Sequence, residues 1–134
     1  MNGGALNIYG GTYKNPKKDA TGGAIIVVSN DSGNVVESSP KKTTTFNLYA
    51  GTLSGGATSG NGGTLATFTS QCVFNMYGGS VIGGSADKNG GCMSLNGPSA
   101  ILGGTVTGGT ALQNGQDISV RSSGNLTLGG DVTI

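Results

Sequence analysis

A ten-residue phrase returns along this chain, and its return constrains the fold more than any other feature. The segment NLYAGTLSGG at 47–56 comes back as NMYGGSVIGG at 75–84. An earlier copy reads NIYGGTY at 7–13, and a later copy reads AILGGTVTGG at 100–109. A chain that repeats one short unit at a fixed period buries its apolar side chains by stacking those units on one another.

The spacing of the repeat gives the length of one unit. The interval from Phe46 to Phe74 is 28 residues, and the interval from Gly78 to Gly103 is 25. From Gly103 to Gly129 it is 26. These intervals predict one structural turn for every 25–28 residues of chain.

The first interval is longer than the others. Gly11 and Gly51 are 40 residues apart, which is one 28-residue period with 12 extra residues. The residues between 29 and 45 lack the repeated phrase, so we place an insertion near Ser29–Thr45.

Within each unit, apolar and polar residues alternate and glycine pairs follow. Alternation with a period of two indicates strands, and 28 glycines among 134 residues disfavour helices. We therefore predict an all-β fold, a parallel β-helix (a solenoid) of about four to five coils. The competing fold is an antiparallel sandwich or barrel, which explains the alternation but not the fixed phase of the repeat. The residues predicted to point into the core are Phe46, Phe74, Ile8, Leu48, Met76, Leu53, Val81, Val106, Ile25, Leu65 and Met93.

The composition limits the size of the domain and the class of partner. A length of 134 residues fits one solenoid domain over 1–134, and the absence of a visible capping helix suggests a piece of a longer repeat protein. The net charge is +1 and only 10% of residues are charged, which argues against a nucleic-acid partner. The sequence contains no apolar run long enough for membrane insertion, and we expect no signal peptide within it.

The residue types needed for most catalytic sites are scarce. Histidine is absent, which excludes Ser-His-Asp and Cys-His arrangements, and two cysteines without histidine cannot form a zinc site. The six acidic residues do not share a phase of the repeat on adjacent coils. We therefore predict no catalytic residue, no cofactor and no metal. Cys72 and Cys92 are expected to be buried free thiols, with a disulfide as the alternative.

Two outward-facing columns form the only candidate binding surface. If Phe46 and Leu48 point inward, then the residues beside them point outward and recur in register. The tyrosine column ends in the next repeat, where Leu102 occupies the position that corresponds to Tyr77. The columns either bind a glycan or a protein partner, or only stabilise the contact between coils. Their members are Tyr9, Tyr49 and Tyr77, and Asn7, Asn47 and Asn75.

The phrase FNMYGGSV at 74–81, followed by NGGCM at 89–93, resembles the degenerate repeats of large bacterial surface proteins with a right-handed β-helix (pectin-lyase-like) fold. The resemblance implies a secreted or cell-surface location and a stalk or adhesive role, with a glycan or a host surface protein as partner. We therefore expect a non-catalytic structural or adhesive module.

Two alternatives stay open. One is a carbohydrate-active β-helix that binds or cleaves polysaccharide, with its site outside this segment or at Asp117 and Arg121. The other is a filament subunit whose uncapped ends associate end to end.

Overall fold

The computed structural model of the chain describes residues 4–15, 26–28 and 43–134. These residues form β-strands, turns and bends, and they contain no helix. Accordingly, no described segment has the length and apolarity of a membrane-crossing helix. The strands of the described residues are β1 (Gly4–Ile8), β2 (Thr12–Asn15), β3 (Ile26–Val28), β4 (Thr44–Leu48), β5 (Thr52–Gly55), β6 (Ala57–Thr58), β7 (Leu65–Thr67), β8 (Cys72–Met76), β9 (Ser80–Ile82), β10 (Ser85–Ala86), β11 (Met93–Leu95), β12 (Pro98–Thr107), β13 (Thr110–Ala111), β14 (Ile118–Val120) and β15 (Asn125–Thr133).

Every strand pairs in parallel with its counterpart in the next turn. The described strands form an eight-stranded sheet, a four-stranded sheet (β3, β7, β11, β14) and a three-stranded sheet (β6, β10, β13). The eight-stranded sheet covers two sides of the body. In earlier turns two separate strands, such as β8 and β9, lie on either side of a corner, whereas β12 and β15 each run through that corner as one strand. The predicted parallel β-solenoid is confirmed, and an antiparallel sandwich is excluded. Right-handed winding remains the expectation for parallel crossovers.

The solenoid has about three turns, slightly fewer than the four to five predicted. Three turns contribute strands to all three sheets, beginning at β4, β8 and β12. Part of the first turn lies outside the described residues, and the last is represented by β15 alone.

The strand register reproduces the spacing of the repeat. Thr44 pairs with Cys72, an offset of 28 residues, and Phe74 pairs with Ser99, an offset of 25. Gly4 pairs with Thr44, an offset of 40, which equals the longer first interval of the repeat. Of the predicted insertion near Ser29–Thr45, Thr44 and Thr45 belong to β4, and residues 29–42 lie outside the described residues.

One predicted repeat interval is wrong. Gly103 does not pair with Gly129, as the 26-residue spacing implied, but with Asp131. The register changes between Ile101, which pairs with Leu128, and Gly103. The additional residue in β15 is accommodated as a bulge at the corner, which leaves the ladder intact on both sides of it.

The core is a set of columns of inward-facing side chains. In β4 and β8 every second residue is buried, and the rings of Phe46 and Phe74 stack at a centroid distance of 5.4 Å. Ile25 lies outside the described residues, and the register places Ile26 beside Leu65 instead. The other predicted core residues are confirmed as buried: Ile8, Phe46, Leu48, Leu53, Leu65, Phe74, Met76, Val81, Met93 and Val106.

A column of glycines allows the turns to approach one another at the corner after the first strand of each turn. Gly51, Gly79 and Gly104 have φ values of 104°, 83° and 102°, a region that side chains with a Cβ rarely adopt. A Cβ on Gly79 would lie 2.6 Å from the carbonyl oxygen of Gly51 in the turn below. Both the backbone conformation and the spacing of the turns therefore require glycine at this position.

We expect Gly79→Ala to lower the free energy of unfolding by about 2–4 kcal/mol, because it combines backbone strain with a backbone overlap. Gly10→Ala is the matched control, since a Cβ there has no atom within 4 Å and φ is not positive. Urea unfolding followed by circular dichroism measures both variants. Equal stability of the two variants would contradict this account of the corner.

Candidate functional site

The three tyrosines predicted to form a column do stack on one another. Tyr9, Tyr49 and Tyr77 each follow directly after a strand of the eight-stranded sheet. The amide of Tyr49 donates to the carbonyl of Ile8 at 2.8 Å, and the amide of Tyr77 donates to the carbonyl of Leu48 at 2.8 Å. These backbone hydrogen bonds keep the residues just after the strands aligned between turns, so each tyrosine ring stacks on the ring of the preceding turn.

The rings are nearly parallel and in face-to-face contact. Tyr9 and Tyr49 have a centroid distance of 4.8 Å and an interplanar angle of 10°, and Tyr49 and Tyr77 have values of 4.9 Å and 11°. This spacing is the distance between paired strands. Tyr49 therefore has a stacked ring on each face, and 39% of its surface is exposed. The column ends at Leu102, as predicted, because Leu102 follows the next strand position.

The three asparagines form a hydrogen-bonded ladder beside the tyrosines. The Nδ2 of Asn47 donates to the Oδ1 of Asn7 at 2.8 Å, and the Nδ2 of Asn75 donates to the Oδ1 of Asn47 at 2.8 Å. The register places Ala100 next, which ends the ladder at Asn75. All six predicted residues are thus brought together, and we call them the tyrosine–asparagine face.

A second asparagine ladder was not predicted. The Nδ2 of Asn89 donates to the Oδ1 of Asn61 at 2.9 Å, and the Nδ2 of Asn114 donates to the Oδ1 of Asn89 at 3.1 Å. The signal in the sequence is the dipeptide Asn-Gly at 61–62, 89–90 and 114–115, with intervals of 28 and 25 residues. These are the intervals of the main repeat, so the dipeptide could have been recognised as a second column.

Both cysteines are free and buried, as expected. The Sγ of Cys92 lies 2.9 Å from the carbonyl oxygen of Gly83 and 3.4 Å from the Oδ1 of Asp117. The same Asp117 oxygen accepts a 2.7 Å hydrogen bond from the amide of Gly109. Burial first, and then the hydrogen bond and charge of Asp117, raise the pKa of the Cys92 thiol to about 12. A thiol with this pKa is neutral near pH 7 and is a poor nucleophile.

Within residues 4–15, 26–28 and 43–134, no group of three or more histidine, cysteine, aspartate or glutamate side chains could hold a metal ion. Asp117 lies between β13 and β14, and Arg121 follows β14 with an exposed side chain. Asp117 accepts hydrogen bonds from Gly109 of its own turn and from Cys92 of the preceding turn, so its carboxylate is held at a corner where the two turns meet.

Comparison with known proteins gives no relative. No protein-family model matches the chain. No curated protein and no solved structure matches it either.

We expect Tyr49→Ala to lower the free energy of unfolding by about 1–3 kcal/mol, because it removes two stacked pairs, each contributing about 0.5–1.5 kcal/mol. Tyr9→Ala removes one pair and should cost roughly half as much. Tyr49→Phe keeps both stacked pairs and serves as the control. Urea unfolding of the three variants measures these differences, and an equal loss in Tyr49→Ala and Tyr9→Ala would argue against stacking.

The raised pKa of Cys92 makes the stability of the protein depend on alkaline pH. In the unfolded chain the thiol loses its proton near the ordinary pKa of 9.0, whereas in the folded chain it does so near 12. The free energy of unfolding is therefore expected to fall as the pH rises from 9.0 towards 12. Cys92→Ala should show a shallower fall than the unaltered protein in urea unfolding over this range. Equal slopes would show that Cys92 is not the cause.

Proposed function

We propose that this chain is a non-catalytic structural module, a stretch of β-solenoid stalk from an extracellular bacterial surface protein with a pectin-lyase-like fold. The observation that carries the proposal is the stacked tyrosine column, in which the central ring has both faces covered by neighbouring rings. The extracellular and bacterial part of the proposal rests on the resemblance of the FNMYGGSV and NGGCM phrases to surface-protein repeats.

The geometry of the column favours a structural role over sugar binding. A sugar ring packs against the open face of an aromatic ring, where its C–H groups meet the π-system. Tyr49 offers no open face, because Tyr9 and Tyr77 lie on either side of it at 4.8 and 4.9 Å. The faces of the Tyr49 ring therefore make stacking contacts between turns of the solenoid and are not open to a sugar.

The same kind of contact recurs on other parts of the body. The two asparagine ladders and the Phe46–Phe74 pair each join like residues in successive turns. In a repeat protein, stability is the sum of the stability of each turn and of the contacts between neighbours. Contacts of like residues on several sides therefore favour a rigid rod, which is what a stalk requires.

The arrangement around Asp117 favours a non-catalytic protein. Its Oδ1 accepts the amide hydrogen of Gly109, and the nearby Cys92 thiol has a pKa of about 12. A catalytic carboxylate must be free to bind substrate or to exchange a proton with it. The hydrogen bonds of Asp117 instead tie the loop before β14 to the loop after β12.

An adhesive role is the second candidate. The tyrosines are exposed beside exposed Asn7 and half-buried Asn47 and Asn75, and hydroxyl and amide groups are suited to hydrogen bonding with a partner protein. Tyr9 is 70% exposed and has one face without a stacked neighbour among the described residues. Adhesion would therefore depend most on this end of the column.

A glycan-panel assay separates these functions. Immobilised glycans are incubated with the protein, and both retention and the release of new reducing ends are measured. The structural proposal predicts neither. New reducing ends would overturn the non-catalytic assignment, and retention that is lost in Tyr9→Ala and Tyr77→Ala would replace the stalk with an adhesin. Phe68→Ala, which removes an exposed aromatic side chain outside the tyrosine–asparagine face, is the matched control.

A further inference from the structure

The second asparagine ladder repeats one chemically labile dipeptide in three successive turns. Asn61, Asn89 and Asn114 each precede a glycine, and the three glycines have φ values of 75°, 70° and 64°. In an Asn-Gly dipeptide the backbone nitrogen of glycine can attack the asparagine side chain, because glycine has no side chain to hinder the approach. Since the three glycines have similar φ values, we look for differences in reactivity in their surroundings.

The two earlier glycines have protected amides. The amide of Gly62 donates to the carbonyl oxygen of Asn89 at 3.0 Å, and the amide of Gly90 donates to the carbonyl oxygen of Asn114 at 3.0 Å. Both glycines are buried. Attack by either nitrogen therefore requires a backbone hydrogen bond to break and the turn to open locally.

The third dipeptide lacks this protection. In the part of the chain that the structure describes, the amide of Gly115 has no hydrogen-bond acceptor, and both Asn114 and Gly115 are exposed. The side chain of Asn114 makes one hydrogen bond, from its Nδ2 to the Oδ1 of Asn89 at 3.1 Å. The reacting nitrogen and the reacting amide are thus both accessible to water.

We propose that Asn114 is a site of spontaneous covalent modification, at which the side-chain amide is lost through a cyclic imide. The nitrogen of Gly115 gives up its proton and forms a bond to the Cγ of Asn114. The Cγ–Nδ2 bond breaks, and the Nδ2 group takes up a proton and leaves as ammonia. Water then opens the five-membered imide at either carbonyl and leaves aspartate or isoaspartate. The only co-reactant is water.

A fourth Asn-Gly dipeptide of the described residues is held differently. The Nδ2 of Asn96 donates to the carbonyl of Phe68 at 2.6 Å, and the Asn96 amide donates to the Oγ1 of Thr67 at 2.8 Å. Gly97 is buried, and a Cβ on it would overlap the carbonyl oxygen of Cys72. The backbone has little room to rotate into the geometry of attack, so Asn96 should react slowly although no acceptor holds the Gly97 amide.

Modification at Asn114 would weaken the contact between the last two turns of the ladder. An ionised carboxylate has no hydrogen to donate, so it cannot replace the bond from Asn114 Nδ2 to Asn89 Oδ1. Isoaspartate also adds a methylene group to the backbone. This addition falls at the bridge between Asn89 and Asn114, where the carbonyl of Asn114 accepts the amide of Gly90.

A site-resolved mass-spectrometric time course tests the proposal. The folded protein is kept in mildly alkaline buffer, digested with trypsin and fragmented by electron transfer, which distinguishes aspartate from isoaspartate. Cleavage after Lys88 and Arg121 places Asn89, Asn96 and Asn114 in one peptide, so the three sites share one internal standard. Asn114 should be modified at least roughly tenfold faster than Asn61, Asn89 or Asn96, because only the last three require local opening.

Two controls keep the result interpretable. In concentrated urea the four sites should react at similar rates, since the unfolded chain has no protecting hydrogen bonds. Asn114→Gln should abolish most modification in the 89–121 peptide of the folded protein, whereas Asn96→Gln, which does not contact Asn114, should leave it unchanged. Comparable rates at Asn61, Asn89 or Asn96 in the folded protein would overturn the proposal. So would a preference for Asn114 that persists unchanged in urea.

Discussion

The fold depends on keeping successive turns in register at the spacing of paired strands, about 4.8 Å. Every side chain then has its counterpart directly above or below it, so one favourable pair can be repeated along the axis. The tyrosine rings at 4.8 and 4.9 Å are at the strand spacing itself. Glycine at the corners permits this spacing, because a Cβ on Gly79 would lie 2.6 Å from the carbonyl oxygen of Gly51.

Register also explains why some of the structure could be predicted from the sequence. A period of 28 or 25 residues places Phe46 beside Phe74 and Tyr49 beside Tyr77 without any further information. The inward and outward alternation follows, and so does the composition of the tyrosine–asparagine face. These predictions needed only the phase of the repeat, which is visible in the sequence.

The failures of prediction occur where the phase changes or where side-chain geometry matters. The bulge that pairs Gly103 with Asp131 is invisible to a search for glycine pairs, because Gly129 looks like the matching residue. The covered faces of Tyr49 depend on ring orientation, which the spacing of residues does not specify. The contact of Cys92 with Gly83 joins different parts of one turn, so no repeat interval indicates it.

The two asparagine ladders give the body a direction. In both, the Nδ2 group of the later turn donates to the Oδ1 atom of the earlier turn, as in Asn75 to Asn47 and Asn114 to Asn89. The amide dipoles of each ladder therefore point the same way along the axis, and aligned hydrogen bonds polarise one another. One end of each ladder presents N–H groups and the other presents oxygen. Each ladder is therefore polar along the axis of the solenoid, and its two ends are chemically different.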